Sequence, residues 1–256
     1  MKKTILSFAV AVSVIIVACE KTDTIPERYA AIAGSNTNIK FLNMSPGSPQ
    51  VNFFTNGSKA SAIAATSAGA EAGIVYNTVY PAAIGYATTP SGSIKIDAIV
   101  PAASTVSPGA TLLTTTQTFD AGKFYTVVML DTFTTAKPLI VQDDPSIPDV
   151  TKGYYRVANF LANSPVKVEV IKTSTGNSFS KTYPSVASKT VLPYDTLGAG
   201  SGQIYKIILR NATTDARLDS VLNFTPALAK KYTFYVRGGN ATSGTTRPLI
   251  STYTNF

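Results

Sequence analysis

The chain has 256 residues, of which only 14% are charged, with a formal net charge of +8, one cysteine and no histidine. That composition excludes His-dependent catalytic triads, zinc sites of the usual ligands and any disulfide within one chain. The basic excess is scattered, with Lys230 and Lys231 the only basic neighbours after Lys2 and Lys3, so nothing suggests a nucleic-acid footprint.

The first element is an address. Lys2 and Lys3 precede an apolar run from Ile5 to Ala18 broken only by Ser7 and Ser13, which reads as a secretory signal peptide over residues 1–18. The run closes on Ile16, Val17, Ala18 and Cys19, a quartet that resembles the bacterial lipobox. The cysteine of a lipobox is acylated and becomes the mature N-terminus. Several acyl chains on one residue pass the two-signal threshold for stable anchoring, so Cys19 would hold the protein on a membrane without a transmembrane helix. The expected location is the cell envelope, as an outer-membrane lipoprotein facing the cell surface or the periplasm. Glu20 and Asp23, split by Lys21, give a weak version of the acidic signal that marks surface export in Bacteroidetes-type bacteria. Residues 19–37 then read as the lipidated cysteine and a flexible tether, the polar part spanning roughly 20 Å on root-mean-square.

The rest is written twice. TFDAGKFYTVVML followed by KPLIVQDD, Thr118 to Asp144, returns near the end as NFTPALAKKYTFYV and RPLISTYTNF. Lys123, Phe124, Tyr125 and Thr126 fall on Lys230, Lys231, Tyr232 and Thr233, and Pro138, Leu139 and Ile140 fall on Pro248, Leu249 and Ile250. The first unit, 38–142, opens with NIKFLN and a Pro-rich stretch at Pro46 and Pro49, where the chain either crosses from one sheet to the other or turns an edge. VNFFT then ends in Asn56-Gly57, a type I′ hairpin signal. The second unit, 154–256, opens with YYRVAN, has the same kind of proline at Pro165 and continues with Val166, Val168 and Val170 alternating with Lys167 and Glu169 as a half-buried strand. Ile94, Ile96 and Ala98, and later Tyr205, Ile207 and Leu209, point to the core by the same alternation. Seven or so strands per unit at turn spacings of 8 to 12 residues predict an all-β protein, two tandem immunoglobulin-like β-sandwich domains joined by a linker at 143–153. Tyr125, six residues after Phe119, sits at the spacing of a tyrosine corner, with an ordinary core tyrosine as the equal alternative; Tyr232 follows Phe224 with two extra residues.

With SPGSPQVNFF, AGKFYTVV and PLIVQDD in this order, and the order repeated, the chain resembles a bacterial exported family known as domain of unknown function four-three-nine-seven. Gly47 and Ser48 replace the family's usual central residues in the first motif, and the second repeat lacks the Gly before Lys230 and the acids after Ile250. The resemblance implies an exported, often lipid-anchored sandwich protein of a kind suspected of adhesion or surface binding. It supplies no catalytic residue.

Four residue sets are candidates for chemistry. Asp143, Asp144 and Asp149 lie between the units, where calcium, which takes oxygen ligands, could stiffen a junction; the alternative is a solvated linker limited by Pro145 and Pro148. Tyr76, Tyr80 and Tyr86 cluster in one variable segment and could stack on sugar faces. Thr24, Thr196 and Ser220 each follow an aspartate and precede an aliphatic residue, a pattern similar to the O-glycosylation acceptor of exported Bacteroidetes proteins. Cys19 carries the lipid. The expected function is non-catalytic binding, adhesion or spacing, with no cofactor beyond that calcium and with a glycan or another envelope protein as partner. A surface glycan-binding accessory role ranks second and a hydrolase with paired carboxylates last.

Overall fold

The computed structural model describes residues 35–256 apart from 83, 177, 240–243 and 245. The first half holds β1 (Asn36–Asn43), β2 (Asn52–Thr55), β3 (Ser58–Lys59), β4 (Thr78–Tyr80), β5 (Ala87–Pro90), β6 (Gly92–Ile99), β7 (Thr111–Phe119), β8 (Phe124–Leu130) and β9 (Lys137–Asp143). The second half repeats the order with β10 (Lys152–Asn159), β11 (Val166–Lys172), β12 (Ser180–Val186), β13 (Thr190–Val191), β14 (Asp195–Gly198), β15 (Tyr205–Asn211), β16 (Arg217–Phe224), β17 (Lys231–Arg237) and β18 (Leu249–Thr254). Four sheets result, and they form two sandwich-like halves.

In the first half one sheet runs β4-β1-β8-β9 with β5 also on β1, and the other runs β3-β2-β6-β7. The second half gives β13-β10-β17-β18 with β14 on β10, and β12-β11-β15-β16. In each, the first strand pairs parallel with the penultimate one, β1 with β8 and β10 with β17. This corrects the immunoglobulin-like expectation. An immunoglobulin sandwich keeps its first two strands in one sheet, whereas here the first strand and the second lie in different sheets. The Pro-containing crossings cause the separation. Prolines cannot donate to a ladder, and the segments with Pro46, Pro49 and Pro165 carry the chain across to the opposite sheet instead of turning it back as a hairpin.

Alternation fixes the cores. Ile94, Ile96 and Ala98 meet Phe41, Phe53 and Val127 inside the first half, and Val166, Val168 and Val170 meet Tyr205, Ile207, Leu209 and Phe234 inside the second. Asn56 and Gly57 both have positive φ, 49° and 81°, as a type I′ turn requires between β2 and β3. Tyr125 Oη accepts from the backbone N–H of Asp120 at 3.2 Å, and Tyr232 Oη accepts from that of Ala227 at 2.9 Å, so both tyrosines bond five residues upstream.

The halves are not beads on a string. A third core of Leu42, Met44, Val128 and Leu130 from the first half with Ala158, Phe160 and Tyr235 from the second lies between them. The β1/β8 sheet and the β10/β17 sheet therefore pack face to face. These central strands are buried on both faces, which is why FYTVVML in β8 is buried at every residue. The register also corrects one equivalence. Val127 pairs with Ile140 while its counterpart Phe234 pairs with Thr252, so Ile140 corresponds to Thr252, two residues beyond Ile250. By the same ladder Asp143 corresponds to Asn255.

Candidate functional site

Most ionisable groups that the sequence singles out near mid-chain meet at the junction. Asp143 ends β9 with its side chain wholly buried, and Arg156 of β10 is 4% exposed. Arg156 donates to Asp143 Oδ1 at 2.6 Å, Thr126 Oγ1 donates to Oδ2 at 2.5 Å and Tyr86 Oη donates to Oδ2 at 3.0 Å. Burial alone would disfavour the Arg156 charge, but the carboxylate of Asp143 more than offsets it and raises the guanidinium pKa. Burial, then the same carboxylate, push the Tyr86 phenol well above its ordinary value, so it remains a donor.

Registering the two halves turns this set into a pseudo-symmetric band. Asn38 pairs with Phe124 and Tyr154 with Lys231, so Lys40 of β1 corresponds to Arg156 of β10. Tyr86 likewise corresponds to Tyr194, one residue before β5 and β14 respectively. Each cation lies over its own half's tyrosine, Lys40 Nζ at 4.7 Å from the Tyr86 ring centroid and the Arg156 guanidinium at 4.9 Å from that of Tyr194. Thr233, the counterpart of Thr126, accepts from Arg156 Nε at 2.9 Å and donates to Asn255 Oδ1 at 2.6 Å. At the acid the symmetry breaks: the first half supplies Asp143 where the second supplies Asn255, and that negative charge holds the guanidinium of the other half.

Lys40 and one further cation, Lys231, close the band. Lys40 donates to the carbonyl of Gly85 at 2.6 Å, and burial depresses its amine to about 8 against the opposing pull of Asp143. Lys231, also buried, donates to the carbonyl and to Oδ2 of Asp144 at 2.6 and 3.0 Å. Burial lowers its pKa while Asp144 works the other way. Phe256 enters from the second half, its ring stacked on Tyr86 at 5.3 Å and edge-on to Phe124.

The three aspartates thus do not form a calcium site. Asp143 is committed to Arg156, Asp144 to Lys231 and Ser146, and Asp149 caps Thr151. Among the described residues no group of three or more His, Cys, Asp or Glu could hold a metal. The physical reason is that β9 runs through Asp143 and buries it, so that consecutive acids point to different surroundings.

The tyrosines part in the same way. Tyr80 pairs with Phe41, on the interior face, and packs on the first core. Tyr86 lies opposite Lys40 on the junction face, and Tyr76 sits beside Arg237 of the second half, 5.8 Å from its guanidinium. All three are half-buried, and each lies against different surroundings. Thr196 of β14 is exposed beside an Asp195 that accepts from Tyr183 at 2.5 Å. Ser220 of β16 is half-buried and accepts from Arg217. Cys19 and Thr24 lie outside the described residues.

Sequence reasoning missed Lys40, Arg156 and Lys231 as buried groups. A signal existed: NIKFLN and YYRVAN place one cation at the same point of two otherwise apolar openings.

Comparison with known proteins adds a family. Structures similar in outline include the fimbrial anchor protein Mfa2 from Porphyromonas gingivalis, 8% identical over 86% of this chain and 97% of that one at a TM-score of 0.28. A candidate adhesin from Bacteroides ovatus is 13% identical over 82% of this chain and 92% of that one at a TM-score of 0.22. Scores this low carry no argument about this chain. No curated protein matches it. The family described as domain of unknown function, DUF4397, matches residues 37–171, which is more than half of the chain and runs from β1 through β11. The chain therefore belongs to the DUF4397 family.

Proposed function

We propose that the protein is a lipid-anchored component of a bacterial cell envelope whose double sandwich is a non-catalytic binding, adhesion or spacer body. The observation that carries this reading is the junction. A shared apolar core and a buried ion pair join the two halves into one rigid block, which suits a body held away from a membrane on a tether. The charged groups at the centre support it as well. Asp143 and Asp144 each face a cation rather than another acid, so they lack the arrangement in which one of two facing carboxylates is held protonated as a general acid. The single cysteine at the end of the apolar leader supports the anchor.

The test is fractionation. The parent protein is expected in the membrane fraction and Cys19→Ala in the soluble one. Retention of Cys19→Ala on the membrane would overturn the anchor.

A further inference from the structure

The two halves diverge most at one end, where the connection between the last two strands differs. In the first half β8 and β9 are joined by a short segment with a 3₁₀ turn, Phe133–Thr135, whose half-buried Phe133 lies 4.0 Å from where a Cβ on Gly47 would stand. The turn packs against β7. In the second half the connection from β17 to β18 is longer, and a groove of about 430 Å³ lies there among the described residues.

Leu161, Pro165, Val166 and Leu218 give this groove aliphatic walls, and Arg217 and Arg247 give it two guanidiniums. Arg247 is fixed at the neck of the connection. Gly238 there has φ of +118°, and a Cβ on it would come within 2.2 Å of the Arg247 carbonyl, so only glycine permits the crossing. The Arg247 side chain donates to the Leu218 carbonyl at 2.9 Å and lies 3.8 Å from Asp219, whose other oxygen accepts from the Ile250 N–H at 2.9 Å. Arg217 is exposed and donates to Ser220; among the described residues it pairs with no carboxylate. Arg217 thus faces no acid and Arg247 one that already accepts from the Ile250 N–H, and a guanidinium fork matches a carboxylate bidentately.

We infer that this groove is a ligand site for a peptide end: a free carboxylate received by Arg217 and Arg247, with an apolar last side chain against the aliphatic walls. The walls decide between partners. They hold no aromatic ring, the usual surface for a sugar face, whereas Leu, Val and Pro suit an aliphatic side chain. The inference rests on the binding-body reading and names a partner chemistry for it, the terminus of another envelope protein.

The test uses the full chain in detergent, titrated calorimetrically with acetyl-Ala-Leu-Leu as the free acid, with the same peptide as its amide, and with glucuronate. The acid is expected to bind about tenfold more tightly than the amide, one charge-assisted contact being worth roughly that factor or more. Arg217→Ala should abolish the preference while leaving the thermal midpoint in place, because the side chain is exposed. Gly238→Ala should weaken the acid by displacing Arg247. Equal binding of acid and amide, no saturable binding of the acid at millimolar concentration, tighter binding of glucuronate, or an acid preference that survives Arg217→Ala would each overturn the site. Such a failure with the protein still in the membrane fraction would strike the groove alone. Release of the parent protein from the membrane would instead strike the anchor, with the titration unchanged.

Discussion

Asp143 is the residue on which the junction turns. It receives three donors, and the strongest comes from the other half of the molecule. Removing one partner of a buried pair leaves the other charge uncompensated, at a cost of about 3–5 kcal/mol. Asp143→Asn, which copies the second half's own Asn255, should therefore destabilise the protein by that order in urea unfolding. Asp143→Leu combined with Arg156→Leu should cost clearly less than the sum of the single changes. Lys40 gives a pH signature. Its folded pKa of about 8 lies below the ordinary 10.5, so between those values the unfolded chain binds more protons and stability rises with pH. Below pH 8 the amine is charged in both states and the full burial penalty stands, on the order of 3 kcal/mol. Lys40→Met removes that penalty and forfeits about 1 kcal/mol from the Gly85 contact. It should be more stable than the parent at pH 7, and the gap should close as pH rises from 8 to 10.5. A pH-independent difference would contradict the assignment.

At the scale of strands, periodicity was legible and sheet membership was not. Alternation at Val166, Val168 and Val170 and at Tyr205, Ile207 and Leu209 predicts inward residues, and each is buried except for a trace. The Asn56-Gly57 turn follows from the φ values that only such residues tolerate well. Strand count and spacing say nothing about which strands pair, so the immunoglobulin arrangement was the wrong choice among sandwiches. The matching Pro-Leu-Ile triplets misled by two residues, because the ladder to β17, and not triplet identity, sets the register of β18. A lone Lys or Arg in a strand reads as an outward residue. Only the packing of a second sheet on that face buries it, and no local pattern encodes that sheet. Both tyrosines bond back to the backbone, although only Tyr125 has the six-residue spacing. Tyr125→Phe and Tyr232→Phe should each cost about 1 kcal/mol, the net worth of one hydrogen bond, measured as a shift in the urea midpoint at unchanged slope.

For the whole molecule, the two sandwich-like halves pack through a shared core into a four-layer body. The chain from Asp144 to Thr151 is less a hinge than a crossing between two faces already held together by Leu42, Val128, Phe160 and Tyr235. A block of this kind keeps the two halves at a fixed spacing, and a flexible pair would not. The claim that the halves are one body is tested most directly by native-state hydrogen exchange read by mass spectrometry, comparing the parent with Leu42→Ala. Leu42 is fully buried in the shared core, and its truncation should cost about 2–5 kcal/mol. If the halves unfold together, protection should fall by a similar amount in β8 of the first half and in β17 of the second. A loss confined to the first half, with β17 unchanged, would mean that the two sandwiches fold and open independently and would contradict the account.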